Sequence, residues 1–515
     1  MTFAFDLSWW QLAAMVIDYA IKFVMIGVVP ENRKPSSANA WLLLILLLPI
    51  IGLPLYLLMG SKIVSSRRHR IQQEATNELD NIHYGEDDFP FDAELSPDVA
   101  AMVRLNRRLT GYPAVYGHVP ALWSDYDMTM RRIASLIDAA SSHINIEIYA
   151  VAWDNTTDIV FEALERAVAR GVHVRLLFDH IGSQKYPGFR KLKRRLTAIG
   201  VDWHMMLPLD PLRGRWRRPD LRNHRKLITF DGQVAMMGSF NLIDRGYLMR
   251  SHVRAGRQWV DAFVELEGPI VASLESLFAV DWYTESNERI NLNPPAHLAN
   301  PTAADVHTLQ LVPSGPGYLT EPNLRMFNTM IHHARESVTL CSPYFVPEDS
   351  LLEAITSACY RGVRVDLLVG ERADQFMVQH AQSAYYQQLL EAGVHIWEFP
   401  APYVLHTKFA LADVPRGAAG AGAAAASAAS GSAAGEAHAA SPVGLIGSSN
   451  MDIRSFSLNY ESTLLIAAGP LLDQLDRLAQ NYMAVSHELT LERWDQRPWY
   501  RRYVDNVMKL TSAVQ

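Results

Sequence analysis

The chain has 515 residues, enough for two or three domains with substantial cores. About half of the residues are hydrophobic (49%), which excludes wholesale disorder. The formal net charge of −7 argues against a dedicated nucleic-acid binder, whose surface would be basic.

Gln11 to Val29 is the first apolar segment, with Asp18 and Lys22 at its centre. Each charge costs about 2.5–3.5 kcal/mol at mid-bilayer. Four residues apart, the two can pair on one helix face, so the segment is expected either to cross a membrane or to lie in its interface. Trp41 to Gly60, WLLLILLLPIIGLPLYLLMG, carries no charge over twenty residues. That length predicts a second transmembrane helix in which Pro49 and Pro54 are tolerated. No basic stretch precedes the first segment and no small-residue cleavage site follows it, so a cleaved signal peptide fits poorly. Lys62, Arg67, Arg68 and Arg70 outnumber Arg33 and Lys34 between the segments, which predicts that everything after residue 60 is cytoplasmic. Residues 1–70 are read as a membrane anchor and 71–109 as a linker.

From about residue 110 the chain repeats itself. ALERAVARGVHVRLLFD (163–179) is matched by LLEAITSACYRGVRVDLLV (351–369), and AIGVDWHM (198–205) by EAGVHIWE (391–398). In the first pair a helical pattern ends at Arg-Gly and an alternating apolar run follows, which reads as helix, tight turn and strand. Further strands are expected within 144–153 and 337–346. The fold class is therefore α/β, with two halves, 110–295 and 296–485, packed face to face around one site and preceded by the transmembrane helices. Within the second half, 417–441 is almost wholly Ala, Gly and Ser and reads as a flexible inserted loop. Residues 486–515 form an aromatic and basic tail in which Trp494, Arg497, Trp499, Tyr500, Arg501, Arg502 and Tyr503 suit either a membrane interface or packing.

Each half carries one chemical motif. His224, Lys226 and Asp231 form H-x-K-x4-D, followed by Gly238, Ser239 and Asn241; His406, Lys408 and Asp413 repeat it, followed by Gly447, Ser448 and Asn450. Asp and Gly stand 7 residues apart in the first copy and 34 in the second, and the Ala/Gly/Ser insert accounts for the difference. One copy would arise by chance in roughly a few per cent of chains this long; two copies in matching repeats would not. Residues i and i+2 share a strand face, so each half presents imidazole, ammonium, hydroxyl and amide together. Two lysines can neutralise a five-coordinate phosphate without a metal. One imidazole can attack phosphorus while the other protonates the leaving alkoxide. Asp261 and Glu461 are candidates to orient the rings. No zinc-ligand spacing occurs among the 18 histidines, and His332-His333 reads as surface or packing, so no metal is expected. With only Cys341 and Cys359, no disulfide framework is possible and a reducing compartment is implied.

These paired motifs resemble the signature of the phospholipase D superfamily over about residues 110 to 485. The match to the bacterial cardiolipin synthase family extends through NRKPSSANAWLLLILLLPIIGLPLYLLMG, QWVDAFVELEGP and CSPYFVPE. The resemblance implies a phosphatidyltransferase of the inner membrane, multi-pass, with its catalytic region in the cytoplasm. It implies transfer between two phosphatidylglycerol molecules through a phosphohistidine, without a cofactor and with anionic lipids as partners. It also implies His224 as nucleophile and His406 as acid, phosphate contacts from Lys226, Lys408, Asn241 and Asn450, a place for Asp231 and Asp413 in the catalytic set as supports, and substrate binding by Ser239 and Ser448 beside the asparagines. A lipid-hydrolysing phospholipase D is the alternative; a nuclease is disfavoured by the membrane segment and acidic charge, and a catalytically dead scaffold by the completeness of both motifs. Arg213, Arg215, Arg217, Arg218, Arg222 and Arg225 crowd ahead of the first motif and could face anionic lipid or line a solvated loop. The sequence leaves the oligomeric state open.

Overall fold

A computed structural model describes residues 8–31, 35–60, 70–71, 73–74, 87–90, 93–209, 218–292, 305–318, 320–415 and 441–509. The insert, except for Ser441, lies outside the described residues, as do Arg213, Arg215, Arg217, Lys62, Arg67 and Arg68.

The N-terminal unit contains α1 (Trp9–Val28), α2 (Pro35–Leu47) and α3 (Pro49–Leu55), the last running into a wide π-type turn at Tyr56–Gly60. Helix α1 is long and apolar enough to cross a membrane. Asp18 and Lys22 pair within it at 2.7 Å, as their spacing requires. The expected continuous helix over 41–60 is corrected: Leu48 leaves helical geometry (φ −133°, ψ 65°) immediately before Pro49. A residue preceding proline is pushed out of the α region, and proline opens the next helix readily because it has no N–H to leave unpaired.

The remaining chain is built around one large sheet. First-half strands are β1 (Ala114–Trp123), β2 (His143–Ile148), β3 (His173–Asp179), β4 (Asp202–Met206), β5 (Arg222–Asn223), β6 (Lys226–Phe230), β7 (Val234–Gly238), β8 (Gln258–Val260) and β9 (Phe263–Glu267). Second-half strands are β10 (Val306–Ser314), β11 (Ser337–Cys341), β12 (Phe345–Val346), β13 (Arg364–Gly370), β14 (His395–Phe399), β15 (Tyr403–Leu405), β16 (Phe409–Ala412), β17 (Val443–Gly447), β18 (Met451–Asp452), β19 (Asn459–Ala468) and β20 (His487–Leu489). The order β20-β14-β13-β11-β16-β17-β19-β10-β1-β9-β7-β6-β2-β3-β4 is nearly a palindrome of equivalent strands. Its centre is the antiparallel pair β1–β10, registered Ala114↔Gln310 to His118↔Val306. The halves therefore join edge to edge in one sheet, which corrects the face-to-face packing expected from the repeats; pairing β1 with β10 removes two exposed edges at once.

Alternate residues feed opposite layers. On β6, Leu227 enters a core shared by both halves and Ile228 enters the first half's own core. The shared core is closed by helices Ile270–Ser286 and Leu471–Val485. The Arg-Gly turns have a physical reason. Gly171 (φ 88°) and Gly362 (φ 87°) take the left-handed conformation that ends a helix. Arg170 donates to the carbonyls of Ile137 and Ala140, and Arg361 to those of Ile331 and Ala334, capping the preceding helix in each half.

One further expectation is corrected, and the tail divides between its two alternatives. The supposed linker 71–109 includes most of the helix Pro97–Thr110, capped by Ser96 and ended at Gly111, which sets Val99, Met102 and Val103 into the second half's core. In the tail, Trp494 is buried against Tyr386 and Arg497 lies over its ring, while Trp499, Tyr500 and Tyr503 are exposed, so packing and exposure divide the segment.

Candidate active site

The two histidines follow short strands that cross between the halves. Strand β5 runs parallel to β19, and the N–H of His224 donates to the Tyr460 carbonyl at 2.8 Å. Strand β15 runs parallel to β8, and the N–H of His406 donates to the Val260 carbonyl, also at 2.8 Å. Each ring thus meets a carboxylate of the opposite half. His224 Nδ1 lies 3.0 Å from Glu461, and His406 Nδ1 lies 2.5 Å from Asp261. The two partnerships were not legible in the sequence, although both carboxylates were.

Burial works against ionising Asp261 and Glu461. The facing imidazole of each and the nearby lysine charge outweigh it and hold both carboxyls below the ordinary range. An ionised carboxylate only accepts, so Nδ1 carries the proton and Nε2 keeps its lone pair on both rings. Desolvation is also the largest influence on the rings, opposed by the carboxylates and aided by the lysines; His224 is pushed down to about 4 and His406 to about 3. Both values favour the neutral imidazole at pH 7.

Lys226 and Lys408 donate back to the carbonyls of His224 and His406. Burial, then the field of Lys408, lowers Lys226 to about 7; burial lowers Lys408 to about 8 against the pull of Asp261 and Glu461. Two ammonium groups held this way in low dielectric are suited to an anion.

The G-S-x-N segments explain themselves geometrically. A Cβ on Gly238 or Gly447 would collide with the carbonyl oxygen of Ala262 or Ser462, so only glycine lets these chains approach. Ser448 Oγ then donates to Glu461 at 2.6 Å, and Ser239 Oγ bonds to the backbone of Ala262 and lowers Asp261. Both serines serve the carboxylates, which corrects their expected place against the substrate. Asn241 accepts from Ala150 N and donates to Tyr247 OH, whereas Asn450 Oδ1 is buried and has no partner among the described residues.

Asp231 and Asp413 stand elsewhere. Asp231 follows the end of β6 opposite Lys226 and accepts from the backbone N–H groups of Ser141, Ser142 and His143. Asp413 accepts from those of Arg335, Glu336 and Ser337. Both adopt positive φ (53° and 54°), a turn conformation that Asp tolerates. They tie down the loop before the neighbouring strand, so the sequence reading of them as catalytic is corrected to a positioning role.

Sequence reasoning missed the braces around His224. Arg222 pairs with Asp179 at 3.1 Å and Arg225 pairs with Asp281, all four buried, so these two arginines do not face lipid. Arg218 bonds to Asp220. The ring of Tyr149 stands 5.0 Å from that of His224, with Lys226 Nζ 5.5 Å from its centroid. An arginine on either side of the motif histidine was the available signal for the braces.

A family model described as "Cardiolipin synthase, PLD-like domain" matches residues 133–282 and 327–483, covering both motifs. The chain belongs to the cardiolipin synthase family. A second model, "Phospholipase_D-nuclease N-terminal", matches 19–61. Cardiolipin synthase A of Erwinia tasmaniensis is 32% identical over 524 residues, covering all of this chain and 99% of that protein. The Pectobacterium carotovorum protein of that name is 31% identical over 522 residues, with the same coverage. The crystal structure of phosphatidylserine synthase from Haemophilus influenzae aligns with 81% of this chain and 100% of its own (TM-score 0.55, 13% identity), a likeness of fold alone.

Proposed function

We propose that this phosphatidyltransferase moves a phosphatidyl group from one phosphatidylglycerol to another, giving cardiolipin and glycerol. The observation that carries the reading is the reciprocal pairing of His224 with Glu461 and His406 with Asp261. It leaves two lone-pair nitrogens flanked by two lysines. His224 Nε2 attacks phosphorus; the bond to the departing glycerol oxygen breaks, and His406 gives that oxygen a proton. The hydroxyl of the second lipid then attacks phosphorus, the P–N bond breaks, and its proton passes to His406. The anionic phosphodiester brings negative charge between the rings, so His406 gains its proton as substrate binds and the lysines keep theirs. Lys226 and Lys408 neutralise the five-coordinate centre, Asn450 and Asn241 border it, and Ser239 and Ser448 hold the carboxylates. No metal or cofactor is required by this scheme.

The halves are assigned to 110–295 and 296–485, with the insert inside the second. The anchor lies in the bacterial inner membrane and the catalytic region faces the cytoplasm, where the basic residues after Gly60 favour it. Exchange of one phosphodiester for another is nearly isoenergetic, so excess glycerol should lower cardiolipin yield and regenerate phosphatidylglycerol from cardiolipin. Phosphatidic acid as the main product, indifferent to glycerol, would transfer the assignment to a hydrolase.

A further inference from the structure

Trp41–Gly60 is a hairpin. Its two ends, nineteen residues apart, lie side by side: a Cβ added to Gly60 would touch the Trp41 ring at 3.0 Å. A straight helix would separate them by about 28 Å. The rings of Trp41 and Tyr56 meet edge-on at 5.6 Å. At the fold, a Cβ on Gly52 would lie 2.7 Å from the carbonyl oxygen of Leu44, so glycine permits the backbones to touch. The first limb, α2, has 13 residues and is about 20 Å long; the second, Pro49–Gly60, is shorter still. Neither spans a hydrocarbon core of about 30 Å. Met25 and Val29, at the C-terminal end of α1, cluster with Ala38, Ile45 and Tyr56. Outward, Leu43, Leu47, Leu48, Ile50, Ile51 and Leu57 are exposed, an apolar surface of the kind a membrane covers.

We propose that Trp41–Gly60 is a re-entrant hairpin dipping into one leaflet, and that α1 alone crosses the bilayer. Residues 30–34 and the chain after Gly60 then share one membrane face, and residues 1–8 lie on the other. The charges agree. Arg33, Lys34, Lys62, Arg67, Arg68 and Arg70 all fall on one side, while residues 1–8 contain no Lys or Arg. Two full crossings would instead strand Arg33 and Lys34 on the outer face, against the positive-inside rule. This inference concerns the anchor and stands apart from the catalytic reading.

The test uses the full-length chain with Cys359→Ser; Cys341 is buried. Single cysteines are added as Thr2→Cys, Asn32→Cys or Ser61→Cys, and spheroplasts are probed with a membrane-impermeant maleimide before and after permeabilisation. Thr2→Cys should label at once, and the other two only after permeabilisation. Immediate labelling at Asn32→Cys with protection at Thr2→Cys would establish two crossings and overturn the proposal. Protection of all three would do so as well, by placing α1 in the interface. Cardiolipin formation by each variant reports intact folding. As a second measurement, spin labels at Asn39→Cys and Met59→Cys should lie well within about 20 Å; a separation near 30 Å, as on a straight helix, would refute the hairpin.

Discussion

His406 Nδ1 lies 2.5 Å from Oδ1 of Asp261, a carboxylate 145 residues earlier and in the other half of the sheet. The mirror contact, His224 with Glu461, spans 237 residues. Asp261→Asn replaces an acceptor with a group that can also donate, freeing His406 to adopt the wrong tautomer. Turnover should fall by roughly 10²–10⁴ with little change in melting temperature. Glu461→Gln should behave alike through His224. Near-normal turnover in either well-folded variant would remove the carboxylates from the mechanism.

His224→Ala and His406→Ala should each lower turnover by at least about 10³ while the protein remains folded. Because acid cleaves a P–N bond, the working wild type is denatured at alkaline pH: phosphatidylglycerol labelled in its phosphatidyl group should leave label on the chain, and His224→Ala should leave none. Label on His406 in the wild type would reverse the assigned roles.

Activity and stability should part company at alkaline pH. Lys226 and Lys408 lie near 7 and 8, below their ordinary 10.5. Between those values and 10.5 the folded chain binds fewer protons than the unfolded one, so these groups make stability rise with pH. The same deprotonation removes the cations that catalysis needs. The kcat/KM of the free enzyme should therefore decline above about pH 7–8, with the lysines titrating as a pair, while thermal stability does not decline with it. In acid the sign is set by the rings. Lowered from 6.5 to about 4 and 3, they make stability fall as pH drops below 6.5. A kcat/KM flat to pH 9.5 would deny the lysines their role.

Asp281→Ala strips Arg225 of its buried partner just beside His224. Leaving a buried charge unpaired costs about 3–5 kcal/mol, which denaturant unfolding would register. A loss below about 1 kcal/mol would show that Arg225 finds other compensation.

Deleting residues 416–440 should leave activity within about twofold of the parent. The flanking strands close on each other, Ala412 opposite Val443, as Phe230 closes on Val234 in the first half across three residues. Each halving of a flexible loop changes closure entropy by about 0.6 kcal/mol, too little to unfold the sheet. A stable but inactive deletion would give the insert a part in handling substrate.

How far the sequence was readable follows from the range of each signal. The helix–Arg-Gly–strand units were legible because their causes are local: a left-handed glycine and a capping arginine. His224, Lys226, Glu461 and their counterparts were legible because the site's chemistry is written twice. The exchange of carboxylates was hidden because no local pattern says which half a ring will meet. Asp231 misled because its spacing from Lys226 is fixed by strand length, which a motif records without saying that the residue sits at the far end. The Trp41–Gly60 break was marked by Pro49, but hydropathy alone rates a hairpin and a crossing helix equally.

The central pairing of β1 with β10 bears on how such a chain can evolve. A fragment ending near residue 295 would hold His224 without Glu461 and would leave an unpaired strand edge open to any partner. Its complement would hold His406 without Asp261. Neither duplicate is free to drift toward a separate task, since a change in one is read as a defect in the other. Selection acts on the two copies as a single unit, and only co-expressed fragments that zip together along that strand should restore a working site.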